Sequence, residues 1–216
     1  MSASIIILLG APGAGKGTVA QYLKDKYDVC HFSTGNLLRD EVKKETDIGL
    51  KVKSILGSGG LVDDSIVNGI VEHRIGDAVS GYDAVILDGY PRTKKQAVVL
   101  DGMLDGTLKS SIRVVEIDVD EDEVVARISG RKVCSQCGKT YGPLDEFCSC
   151  GGDLVKRKDD EESVVRKRLE KYVEETLPIS AYYSDRLVKV SGKGTQEEVA
   201  QRIDEVLRGF GIKKRR

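Results

Sequence analysis

The sequence predicts an α/β fold in which a parallel sheet is covered by helices on both faces. Three observations predict it. Ile5 to Leu9 is a short unbroken apolar run, followed by a glycine-rich turn and then by Val19, Tyr22, Leu23 and Tyr27 at helical spacing. An apolar run of that length, bounded by turn residues, is what a strand buried on both faces requires. Residues 83–89 (DAVILDG), 113–119 (RVVEIDV) and 187–192 (LVKVSG) repeat the theme, each ending in polar or glycine residues and separated by helical patterns. Last, Val199, Ile203, Val206, Leu207 and Phe210 lie on one stripe that ends at Gly209 and Gly211, as an amphipathic helix packed on a core does. Repeated β-α alternation of this kind builds a parallel sheet.

Two segments break the alternation: a polar, helical stretch over 33–62 and a stretch rich in Cys, Gly and charge over 130–160. They divide the chain into a core of 1–32, 63–129 and 161–216 and two insertions. A chain of 216 residues has room for one such core with both pieces inserted. With 34 basic and 35 acidic residues, no global field draws it to nucleic acid or to a membrane surface. The start, MSASIIILLG, lacks a basic leader region and its apolar run is too short to span a bilayer, so the expected compartment is the cytoplasm. The terminal KKRR is expected to be a solvated tail.

The first turn carries the chemistry. Gly10, Gly15 and Lys16 satisfy G-x-x-x-x-G-K between a strand and a helix. Glycines there let the backbone wrap a phosphate chain so that N–H groups and the helix N-terminus face the anion, while Lys16 adds a point charge. Gly17 stands where a magnesium-binding hydroxyl is usual, and Thr18 comes one place late.

Five cysteines in a reducing compartment argue for a metal site rather than disulfides. Cys134 and Cys137 form a C-x-x-C knuckle, and Cys148 and Cys150 follow at the tighter C-x-C spacing. Four thiolates in one short insertion suit a closed, structural Zn²⁺ site. The short spacing leaves Asp153 as an alternative to Cys148. Cys30 stands alone and is expected to be buried filler.

GAPGAGKGT resembles the loop of adenylate kinases and their nucleoside monophosphate kinase relatives, and the resemblance continues along nearly the whole chain. It implies a P-loop nucleoside triphosphate-binding fold, a parallel five-stranded sheet flanked by helices, with an AMP-binding insertion and a lid. In LDGYPRTKKQA, Asp88 matches the carboxylate that holds magnesium through water, in place of the loop hydroxyl. Arg92 matches the arginine on the monophosphate, Gln96 the glutamine that reads adenine, and Gly89 a further AMP contact. FSTGNLLR resembles the segment in which Thr34 and Arg39 bind AMP; Asn36 replaces the usual aspartate, which implies weaker water-mediated placement of Mg²⁺. GGLVDD resembles the stretch that frames the base with Gly60, Leu61 and Val62. Arg127, Arg131, Arg157 and Arg168 match the family's arginines on the transferred phosphoryl group. Gly13, Ala14, Gly15, Lys16, Gly17, Thr18, Thr140, Tyr141 and Gly194 match ATP contacts. Cys134, Cys137, Cys148 and Cys150 match the zinc-bearing lid.

The implied activity is phosphoryl transfer from MgATP to AMP by a monomer acting on small molecules, with Mg²⁺ accompanying ATP and Zn²⁺ in the lid. One rival is a kinase acting on UMP, CMP or GMP, against which Thr34, Gln96 and the long second insertion argue. Another is a nucleotide- or zinc-binding module without turnover, which would have no need of the full arginine set.

Overall fold

The computed structural model describes residues 3–104, 106–212 and 214. Its main sheet contains β1 (Ser4–Leu9), β2 (Val29–Ser33), β3 (Ala84–Asp88) and β4 (Ile112–Asp118), completed after the second insertion by the last strand of the chain, β8. The insertion carries β5 (Lys132–Cys134), β6 (Thr140–Tyr141) and β7 (Leu154–Val155), and β8 is Leu187–Ser191. The order is β2-β3-β1-β4-β8 with every pairing parallel. The helices are α1 (Lys16–Lys26), α2 (Thr34–Lys43), α3 (Asp47–Gly57), α4 (Asp64–Gly81), α5 (Lys94–Met103), α6 (Gly106–Ser110), α7 (Glu121–Ser129), α8 (Glu162–Lys171), α9 (Pro178–Tyr182) and α10 (Gln196–Gly209).

Strand periodicity explains how one sheet serves two cores. Ile5, Ile7 and Leu9 of β1 pack with Val71 and Ile75 of α4 and Leu100 of α5, while Ile6 and Leu8 pack with Leu23 of α1 and Ile203 and Leu207 of α10. Alternate side chains point to opposite faces, so a strand covered on both sides must be apolar throughout, as β1 is. Four of the five strands are those that the apolar runs predict. β2 is the exception: it forms one edge, Cys30, His31 and Ser33 are only half-buried, and no continuous apolar run announces it. Cys30 packs at the border of the core rather than inside it.

The expectation of a solvated tail needs correction. Lys214 bridges to Tyr27 through the backbone, and its ammonium lies 2.9 Å from Asp204. Asp204 is buried on α10 and accepts from the Tyr27 hydroxyl at 2.6 Å, so one of these basic residues serves as the counterion of a buried carboxylate. Residues 213, 215 and 216 of the same tail lie outside the described residues.

Strand order places the site. From β1 the chain crosses to β2 on one side, and from β3 it crosses to β4 on the other, so β1 and β3 flank the point where the winding reverses. Ligands of open parallel sheets lodge outside the carboxyl ends of the strands at such a point. Gly10 follows the end of β1 and Asp88 ends β3, with Leu8 in register with Asp88.

Candidate active site

Gly10, Gly13 and Gly15 take positive φ values of 144°, 86° and 95°, a path that side chains resist and that wraps the loop into a concave cradle. Gly15 caps α1 in the left-handed conformation, and no side chain caps that helix. The first N–H groups of α1 thus face the cleft with the positive end of the helix dipole behind them. Lys16 Nζ donates to the carbonyls of Gly10 at 2.6 Å and Ala11 at 2.8 Å. Desolvation, opposed by Asp88 and reinforced by Arg92, brings its pKa down to about 8.

Asp88 lies against His31, whose Nε2 is 3.4 Å from Oδ2. Burial opposes its charge, but the His31 contact and the Lys16 and Arg92 charges prevail and hold the carboxyl below its ordinary value. His31 comes from the edge strand β2, and its neighbour Ser33 is in register with Asp88.

Three of the four arginines converge on two adjacent carboxylates. Arg131 makes a bidentate pair with Asp160, its Nε donating at 2.8 Å. Arg157 does the same with Asp159, its Nε donating at 2.9 Å. Arg168 donates to the Asp159 carbonyl at 3.0 Å and carboxylate at 3.2 Å, and to Asp160 at 3.4 Å. Despite burial, Arg157 and Arg168 hold the Asp159 pKa at about 2. Arg127 is not part of this cluster: it pairs with Glu123 one turn away and donates to the Gly192 carbonyl at 2.7 Å. Holding guanidiniums this close costs electrostatic energy, and the two aspartates offset it.

The loop, Asp88 and all four arginines line one cleft of about 910 Å³, as do Gly17, Thr18, Thr140, Tyr141 and Gly194. A second cavity of about 50 Å³ adjoins it, lined by Thr34, Gly60, Leu61, Val62 and Gln96. Gly89, Arg39, Arg92 and Arg168 face both spaces. Thr34 donates to the Gly89 carbonyl at 2.8 Å, as does Arg92 Nε at 3.0 Å. Arg39 donates to Asn36 Oδ1, and burial, then Arg157, lower its pKa. Asn36 is therefore engaged with Arg39.

Past α8 the helix widens into a π-helical turn, Tyr172–Thr176, before Pro178 opens α9. Thr176 on this turn donates to the Arg92 carbonyl at 2.9 Å. Such turns re-aim side chains at sites, and none of the apolar stripes of α8 signals it.

In the second insertion β6-β5-β7 form a small antiparallel sheet, and the four sulfurs of Cys134, Cys137, Cys148 and Cys150 all lie within 4.8 Å of one another. A tetrahedral Zn²⁺ with Zn–S of about 2.3 Å needs sulfurs about 3.8 Å apart, so the cluster fits that ion. Gly152 permits the approach, since a Cβ there would stand 2.5 Å from Cys134 Sγ. Asp153 supplies its backbone carbonyl, which accepts from the Ser135 N–H at 2.9 Å, while Cys148 Sγ belongs to the four-sulfur cluster. Tyr141 donates its hydroxyl to Cys148 Sγ at 3.0 Å.

A family profile described as adenylate kinase matches residues 8–188. The chain is 42% identical over 216 residues to a protein named adenylate kinase from Fervidobacterium nodosum, covering 95% of this chain and 98% of that one. It is 42% identical to one from Caldicellulosiruptor bescii, over 96% and 99% of the two chains, and 40% identical to one from Bacillus licheniformis, over 94% and 98%.

Proposed function

Since the chain belongs to the adenylate kinase family, its reaction is reversible phosphoryl transfer from MgATP to AMP giving two ADP, and we propose the following roles for its residues. One observation carries the assignment: a large cleft built on the phosphate loop adjoins a second, small cavity, and Arg39, Arg92 and Arg168 face both. Two nucleotides bound in these spaces meet phosphate to phosphate across that arginine wall.

ATP lies along Gly13, Ala14, Gly15, Lys16, Gly17 and Thr18, with Arg127, Thr140, Tyr141 and Gly194 around its base and ribose. Lys16 leaves the Gly10 and Ala11 carbonyls for the phosphates. AMP occupies the small cavity, its phosphate on Arg39 and Arg92 and its base among Thr34, Gly60, Leu61, Val62 and Gln96. Arg131, Arg157 and Arg168 neutralise the charge that spreads over the transferred group, a task that suits planar guanidiniums. Asp88 would hold, through water, the magnesium that accompanies ATP. The chain supplies positioning and electrostatic stabilisation, and no protein nucleophile is needed.

Residues 33–62 form the AMP-binding insertion and 130–160 the lid, whose closure over the cleft excludes water from the transfer. In the lid Cys134, Cys137, Cys148 and Cys150 would hold Zn²⁺, which supplies a structural clip and takes no part in the chemistry. The protein acts as a cytoplasmic monomer; none of the described helices is long and apolar enough to cross a membrane.

The test is a coupled assay with MgATP and AMP, GMP, CMP or UMP as acceptor. AMP is expected to lead in kcat/KM by a wide margin. UMP or CMP at comparable kcat/KM would move the protein to the rival monophosphate kinases, and no turnover with any acceptor would make it a binding module.

A further inference from the structure

Gln96 is only 3% exposed, and its side-chain amide is held from two sides. Its Oε1 accepts from the Arg92 backbone N–H at 2.7 Å, and its Nε2 donates to Asp64 Oδ1 at 2.7 Å. The other oxygen of Asp64 accepts from the Thr93 hydroxyl at 3.0 Å, and Thr93 itself accepts from the Gln96 backbone N–H at 3.1 Å. Asp64 is the first residue of α4, where the helix dipole favours its negative charge.

A backbone N–H can only donate and a carboxylate can only accept, so these two partners together define which end of the amide is oxygen. Turning the amide over would set Nε2 against an N–H and Oε1 against a carboxylate, two buried mismatches at once. What remains for a ligand in the adjoining cavity is one lone pair on Oε1 and one hydrogen on Nε2. A 6-aminopurine offers the matching pair, an N6–H donor beside an N1 acceptor. A 6-oxopurine offers the same two groups in reverse order, O6 as acceptor and N1–H as donor, and meets like polarity at both atoms. A glutamine free to turn over would accept either base.

We propose that Asp64 is a specificity-determining residue for the acceptor base: its carboxylate, together with the Arg92 N–H, locks the Gln96 amide in the orientation that accepts a 6-aminopurine and rejects a 6-oxopurine. This rests on the reading that Gln96 faces the AMP base. Asp64 does not touch the base; it acts through Gln96. A site with fixed hydrogen-bonding groups rejects a mismatched edge far more strongly than an apolar pocket rejects a small change of shape.

IMP is the probe, since its base differs from that of AMP only at the edge in question. The experiment compares kcat/KM for AMP and IMP at saturating MgATP in the wild type, Asp64→Asn and Gln96→Ala, with thermal melting of each. Asparagine is isosteric and can present a donor or an acceptor to Gln96. Asp64→Asn is expected to narrow the AMP:IMP preference by about ten-fold, mostly through the nucleotide monophosphate KM, with the apparent KM for ATP unmoved. An unchanged preference in Asp64→Asn, with a collapsed preference in Gln96→Ala, overturns the lock while leaving the base reading intact. An unchanged preference in Gln96→Ala overturns both. If Asp64→Asn does not fold, Asp64→Ala, which removes the acceptor from Gln96 Nε2, must narrow the preference in the same direction, and an unmoved ratio there overturns the proposal.

Discussion

A Cβ on Gly17 would lie 3.8 Å from Asp88 Oδ2. The place where a hydroxyl would follow the loop lysine therefore faces the carboxylate at the end of β3. A glycine at this position puts no side chain between loop and strand, whereas a serine would bring its hydroxyl up to Asp88. The contact is ordinary van der Waals distance, so Gly17→Ser should fold, gaining a few tenths of a kcal/mol or so in helix propensity. Asp88→Asn should lower kcat/KM by about 10²-fold and weaken the dependence on magnesium. A magnesium titration of both variants checks this, and an Asp88→Asn enzyme with the wild-type titration curve would remove the carboxylate from the metal's surroundings.

Lys16 has a pKa lowered from 10.5 to about 8, so between those values the folded protein carries fewer protons on this group than the unfolded chain does. Its contribution to stability therefore rises with pH across that window, while the charge available to a phosphate falls. The pH profile of kcat/KM for MgATP should descend on a basic limb near 8. Lys16→Arg should move that limb upward, and Lys16→Met should remove it and lower kcat/KM by about 10²-fold, as should Arg92→Ala. A limb that stays in place in Lys16→Arg belongs to another group.

Asp159 is held down to about 2 from 3.8 by Arg157 and Arg168 against the opposing effect of burial. A depressed carboxylate contributes stability that is fully present above its unfolded value and is lost as pH falls through its folded one. Asp159→Asn should thus cost about 2 kcal/mol at neutral pH, and the deficit should close as pH drops from about 4 towards 2. Urea unfolding at pH 7 and pH 2 measures both ends. An equal deficit at the two pH values would mean that the residue matters for packing and not for charge.

The sulfur cluster should hold one equivalent of zinc, read by elemental analysis of the purified protein. Chelation or Cys137→Ala should lower the Tm while leaving transferase activity at low temperature, since metal binding energy here is folding energy. Cys148→Ser should loosen zinc and Asp153→Ala should not. Tyr141→Phe should weaken retention against a chelator about ten-fold, because the hydroxyl that orients Cys148 is gone. Loss of zinc on the aspartate change alone would transfer the fourth corner to Asp153.

What the sequence by itself determined is local. The phosphate loop is contiguous, and its glycines dictate the path of the backbone between β1 and α1, so it is legible without a fold. The same holds for the alternation of apolar runs and helical stripes, and for the paired cysteines. Tertiary structure alone decided the partnerships that make these residues work. His31 meets Asp88 across 57 positions because β2 and β3 are in register, and Asp64 meets Gln96 across 32 because α4 and α5 begin at the same end of the sheet. It also divided the arginines, setting three on Asp159 and Asp160 and leaving Arg127 with the Gly192 carbonyl, although all four stand in equally regular motifs. The physical reason is that periodicity records which face of an element is buried, whereas hydrogen-bond partners and counterions depend on strand order and register, quantities that exist only once distant segments have packed.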